Sequence, residues 1–157
     1  MSSSSYLDNL MRHGASAHNA RVAFTGTNVT VSEYGGTAFT SANPLLIRFS
    51  SSEVSVVTSG SASHDFSTAT WGAAAYDGYY ALFVGLQRLS DSSVQVCVGV
   101  SPEPGSVTTV LNTNATHSYY IAAPTAATGK IVWVGVIHNV LRENSAWVTT
   151  DAFVEEI

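Results

Sequence analysis

Residues 79–100, YYALFVGLQRLSDSSVQVCVGV, set two runs of β-branched and aromatic side chains on either side of the polar break Leu89-Ser90-Asp91-Ser92-Ser93. That pattern predicts a β-hairpin, whose loops run to roughly 2–5 residues. Alternation along a strand then places Val94, Val96, Val98 and Val100 on one face with Leu82, Val84 and Leu86 of the partner arm. The other face, Ala81, Phe83 and Gly85 with Gln95, Cys97 and Gly99, is mixed, and it is the face expected to meet a second sheet or another subunit. A third run, residues 130–140 (KIVWVGVIHNV), has the same texture. Each run carries a glycine between apolar neighbours: Gly85, Gly99 and Gly135. Glycine inside a strand marks a bend or a close approach. The three together predict a shallow trough across one sheet, filled by Trp71, Trp133 or Trp147 of the same or a neighbouring chain.

The remainder reads as β from Arg21 onward. Short strands are expected over residues 22–25, 28–34, 45–50, 53–59, 107–111, 117–122, 146–150 and 152–154. Residues 59–70 read as polar and irregular, 101–105 and 124–129 as loops, and 141–144 as a turn. Closely spaced short strands with no helical period predict an all-β fold, an antiparallel, jelly-roll-like β-sandwich over residues 21–157. Residues 1–20 stand apart. Ser5 and Asp8 form a capping-box-like start, Leu7, Leu10 and Met11 make one apolar stripe, and Arg12-His13-Gly14 supplies a stop. These predict a short helix over residues 6–13 and a tether over 14–20. A helix this short is marginal alone in water. Leu7, Leu10 and Met11 are therefore expected to dock, either on the body of the same subunit or as a peg into a neighbour.

Composition narrows the partners. Charged residues make up 11% of the chain, against about 25% in an ordinary soluble domain; Ser and Thr reach about a quarter. A polar, neutral surface gives up little hydration when it meets another of its kind, because no ion is dehydrated. This favours burial between subunits or contact with sugars. A net charge of −5 without a Lys/Arg cluster argues against nucleic acid. No apolar run approaches the ~20 residues of a membrane span, and the N-terminus has no continuous apolar signal region, so a product made in the cytosol and not exported is expected. Cys97, the single cysteine, reads as a small buried hydrophobe. The sequons at Asn28 and Asn114 follow from the abundance of Asn and Thr.

Chemistry is sparse. No Gly-x-Ser-x-Gly elbow occurs, and Ser63-His64-Asp65 are sequence neighbours, whereas a triad is a spatial constellation. His64-Asp65 reads as a solvated turn. The remaining histidines are scattered at His13, His18, His117 and His138, and no Asp-x-Asp-x-Asp-Gly loop or glycine-rich phosphate cradle is present. Glu33, Asp65, Asp77, Asp91 and Glu103 all fall at turns or strand ends, where solvated carboxylates are the default. No catalytic residue, metal or cofactor is expected. The candidates for ligand contact are Tyr76, Tyr79, Tyr80, Tyr119 and Tyr120, which offer flat apolar area with a hydroxyl to sugar rings or protein partners. The competing reading makes them half-buried sheet residues.

The Tyr/Phe-rich run at residues 79–86, the Val-rich run at 94–101, the following Pro102-Glu103-Pro104 and the later Val132-Trp133-Val134-Gly135-Val136 resemble the β-rich modules of tailed-phage virion proteins, particularly tail-fibre and adsorption-apparatus components. The resemblance covers about residues 71–140. It implies a non-enzymatic structural or receptor-binding subunit in the virion, a homotrimer attached to other virion proteins through its N-terminal segment, with a host-surface glycan as a further partner. The chain departs from fibre subunits in lacking an extended shaft. A baseplate subunit, a capsid decoration protein and a carbohydrate-binding β-sandwich module stay open as alternatives.

Overall fold

The computed structural model describes residues 16–68, 77–100 and 120–157. The helix expected over residues 6–13, with Leu7, Leu10 and Met11, lies outside them, as do Trp71, the 101–105 loop and the 107–111 strand. The strands are β1 Ser16–His18, β2 Arg21–Thr25, β3 Asn28–Ser32, β4 Leu45–Arg48, β5 Val54–Val57, β6 Ala62–Asp65, β7 Gly78–Arg88, β8 Val94–Val100, β9 Tyr120–Ala122, β10 Ile131–Glu143, β11 Ala146–Val148 and β12 Phe153–Glu156. A 3-10 turn, Phe66–Thr68, is the one helical element among the described residues. The pairings are antiparallel. They build a large sheet in the order β11-β10-β7-β8-β9, with β12 also on β10, and two three-stranded sheets, β1-β4-β5 and β2-β3-β6. The all-β, antiparallel sandwich expected from the sequence is the fold.

The hairpin forms as its alternation demands, with Val84 opposite Val98 and Leu86 opposite Val96. Its valine face is the floor of the main core. Leu82, Val84, Leu86, Val96, Val98 and Val100 cluster there with Val22, Val29 and Val31 from one small sheet and Leu45 and Ile47 from the other. Burying each such side chain stabilises the fold by roughly 1.5–3 kcal/mol. The second layer thus packs on the valine face, not on the mixed face expected to receive it. The reason lies in polarity: Gln87 and Gln95 on the mixed face need hydrogen-bond partners that an apolar layer does not offer. That outer face carries its own smaller cluster of Ala81, Phe83, Cys97, Trp133 and Val136, with Ala123, Ile131 and Ile157 against it.

The three glycines do not share a trough. Gly85 pairs with Cys97 and Gly99 with Phe83, both on the outer face. The register of β10 shifts between Trp133 and Gly135, so Gly135 turns inward to pair with Val84, under Val22. Such a bulge inserts one residue and exchanges the faces beyond it. Trp133 of the same chain fills the space above Gly85, while Trp147 sits in the main core.

Three further elements differ from expectation. From Ser16 the presumed tether is β1, paired with β4. The irregular segment contains β6, which pairs with β3. Leu141, Arg142 and Glu143 continue β10 instead of turning; the reversal is made by Asn144 and Ser145, both at positive φ (51° and 65°), as a two-residue hairpin loop requires. This places Trp147 of β11 edge-to-face against Tyr80 at 5.3 Å and Phe66 at 6.4 Å, with the Arg142 guanidinium 4.9 Å from its ring centre. The aromatic group closes one end of the sandwich.

Candidate functional site

At the other end of the central hairpin lies a cleft of about 680 Å³. One wall is the β7–β8 turn. Leu89 N–H donates to Ser93 O (2.8 Å) and Ser92 N–H to Leu89 O (3.0 Å), while Ser92 takes φ 70°. Asp91 caps the turn by accepting from Ser93 Oγ and from Ser93 N–H at 3.0 Å, and these bonds, the hydroxyl's first, hold its carboxyl below the usual range.

The facing wall is the 123–130 loop, held by two glutamines. Gln87 and Gln95 stand opposite each other across the hairpin, both buried. The Gln95 amide donates to Gln87 Oε1 (3.0 Å) and Thr125 O (2.8 Å) and accepts from Thr125 N–H (3.1 Å). Gln87 Nε2 donates to Ala127 O (3.2 Å) and Gly129 O (3.1 Å). These bonds satisfy both side chains and strap the loop across the outer face. Gly129 is dictated by closeness: a Cβ there would come to 1.6 Å from Arg88 O.

The rim is charged. Glu53, just before β5, accepts from Lys130 Nζ just before β10, from Ser50 Oγ at 3.1 Å, and from Arg88 Nη1 at the end of β7 at 3.5 Å. The Lys130 hydrogen bond foremost, with help from Ser50, lowers the pKa of Glu53. One carboxylate so ties three elements together. Two cations, Arg88 and Lys130, balance two anions, Glu53 and Asp91. The cleft offers hydroxyls, amides and compensated charges to a polar, neutral guest.

The sequence-singled residues scatter. Tyr76 and Tyr119 lie outside the described residues, and of Tyr120 the backbone alone is described, paired with Val100. Tyr79 is 51% exposed on the outer face of β7, whereas Tyr80, next in sequence, points inward at 2% exposure. Tyr80 is thus corrected from a contact residue to a core residue. Ser63, His64 and Asp65 lie on β6, a strand rather than the expected turn. His64 faces inward, and Ser63 and Asp65 face solvent, so no triad forms. Asp65 accepts from Thr27 Oγ1 at 2.7 Å and Ser67 N–H at 3.0 Å. His64 Nε2 is buried without a hydrogen-bond partner. Among the described residues no group of three His, Cys, Asp or Glu gathers as a metal site. Burial pushes the Cys97 thiol up to about 12, which leaves it inert. No pattern in the sequence singles out Glu53, Arg88 and Lys130; the one signal for this end of the molecule is a pair of glutamines inside otherwise apolar strands.

Comparison with protein-family models, curated proteins and solved structures gives no match.

Proposed function

We propose that the chain is a non-enzymatic structural protein of a tailed-phage particle, a tail-fibre, baseplate or receptor-binding subunit that works as a homo-oligomer. One observation carries the assembly part. On the solvent face of the β1-β4-β5 sheet, Leu46, Val54 and Val56 are 41%, 53% and 54% exposed, and Leu46 and Val56 are direct cross-strand neighbours. In a chain so poor in charge, an apolar patch of this kind beside Arg48 supports a contact surface. The phage part is supported by the resemblance over residues 71–140. Sedimentation velocity of the full chain tests the assembly, and a single monomeric species at tens of micromolar rejects it. Genes for portal, capsid or baseplate proteins beside the coding gene are the expected context; a neighbourhood without any virion gene rejects the phage assignment.

A second reading, carbohydrate binding, draws on a different feature. The Phe153 ring is 53% exposed and stacks on His138 at 5.1 Å, with Glu155 Oε1 3.5 Å from His138 Nε2. An exposed ring beside a carboxylate suits a sugar face with its hydroxyls. A glycan array that stays silent removes this reading.

A further inference from the structure

The edge of β5 has the geometry of half an interface. Phe49 N–H donates to Glu53 O at 2.8 Å, in register with the pairs Arg48↔Val54, Ile47↔Ser55, Leu46↔Val56 and Leu45↔Val57. Antiparallel ladders alternate bonded and non-bonded pairs. Ser55 and Val57 therefore spend their backbone groups on β4, and Val54 and Val56 turn N–H and C=O away from it. No described residue bonds to those outward groups. Natural edges are blunted by charge, proline or a bulge. The edge strand β12 carries Glu155 and Glu156, and β6 carries Asp65, but β5 reads Val-Ser-Val-Val.

We infer that β5 pairs with β5 of a second copy of this chain about a twofold axis perpendicular to the sheet, with Ser55 at the axis. This rests on the assembly reading above and specifies its contact. Two requirements of the same parity confine the pairing to registers centred on a residue of β5, and of these the Ser55-centred one alone sets Val54 and Val56 of both copies against each other in bonded pairs. A perpendicular twofold keeps the two outer faces coplanar, so exposed residues must meet exposed residues; Val54 opposite Val56 of the second copy does this. The outward backbone groups must also meet each other, and Val54 and Val56 are the residues that carry them. Four inter-copy hydrogen bonds result. Ser55 meets Ser55 as a non-bonded pair, its side chain kept inside by donating to Ser92 O at 3.1 Å. No like charges oppose one another: the nearest ion, Glu53, falls opposite Val57 and is already held by Lys130 and Arg88. Leu46, Val56 and the second copy's Val54 then form one apolar stripe across a continuous six-stranded sheet. A twofold contact gives an even number of copies, so it is distinct from the contact of a simple trimer.

The test compares the wild-type chain with a Val54→Lys/Val56→Lys double variant, by sedimentation velocity and by amide hydrogen exchange resolved at residues 54–57. The lysines stand on exposed positions and face each other across the proposed axis. The expected result is an even-numbered wild-type oligomer that falls to half its mass or less in the variant. Protection of the Val54 and Val56 amides should drop at least tenfold, while the Ser55 and Val57 amides, bonded to β4, stay protected and report an intact fold. A wild-type oligomer with an odd copy number, or one whose mass and Val54/Val56 exchange the lysines leave unchanged, overturns this inference and leaves the assembly reading standing. A monomeric wild type overturns both.

Discussion

Trp133 packs onto Gly85: its Cε3 lies 2.9 Å from where a Cβ on Gly85 would stand, and Ile131 Cγ2 lies only 2.5 Å from it. Neither neighbour is a flexible chain end, and Trp133 is also edge-to-face with Phe83 at 6.1 Å. Gly85→Ala should therefore destabilise the fold by about 1–3 kcal/mol, the usual range for overpacking. The expected outcome is a lower urea midpoint at unchanged slope, with an altered near-ultraviolet circular dichroism signal from the displaced indole.

Gln95 makes two of the four hydrogen bonds that strap the loop across the outer face and a third to Gln87. Gln95→Leu frees Thr125 and leaves Gln87 Oε1 buried without a partner, and a buried polar group so orphaned costs about 1–3 kcal/mol. Amide exchange at Thr125 should accelerate well beyond that of the β8 amides. Equal protection of Thr125 in variant and wild type would show that the loop is held by other means.

Glu33 sets an acid limit. Its carboxylate is buried and accepts from Thr37 N–H at 2.9 Å, Thr37 Oγ1 at 2.8 Å and Asn43 Nδ2 at 2.8 Å. Backbone hydrogen bonds, from Thr37 first and Gly35 next, take its pKa from 4.5 to about 2. A lowered carboxylate pKa contributes stability that is complete above the unfolded value and is lost as pH falls toward the folded one. Glu33→Gln should thus be less stable than wild type at pH 7, and the gap should narrow between pH 4.5 and pH 2 in paired denaturation curves.

His64 acts in a higher window. Burial beside the core lowers its pKa from 6.5, opposed in part by Asp65. Here the unfolded chain takes the proton more readily, so stability is full above 6.5 and declines as pH drops through that value toward the folded one. His64→Leu should flatten the decline between pH 7 and pH 5. An unchanged slope would assign it to other groups.

The hairpin and β10 could be read from the chain because an uninterrupted alternation of valines and aromatics leaves few other ways to bury them. β1 and β6 could not, since Ser-Ala-His and Ala-Ser-His-Asp have little strand preference of their own and are extended by pairing with β4 and β3. Tertiary pairing overrode propensity there. Tyr79 and Tyr80 look alike in sequence, yet the two-residue period of a strand must expose one and bury the other. The rim of the cleft was out of reach for a different reason: Glu53 meets Arg88 and Lys130 across 35 and 77 positions, separations that no local pattern encodes.

The two sets of bonds that hold the cleft respond differently to their surroundings. The glutamine side grips through uncharged amides, whose bonds do not change with proton or salt concentration in the ordinary range. The Glu53 side grips through ions, which salt screens within a distance of about 8 Å at physiological strength. Brine or acid consequently weakens the ionic tie at the rim and leaves the amide tie beneath the loop in place.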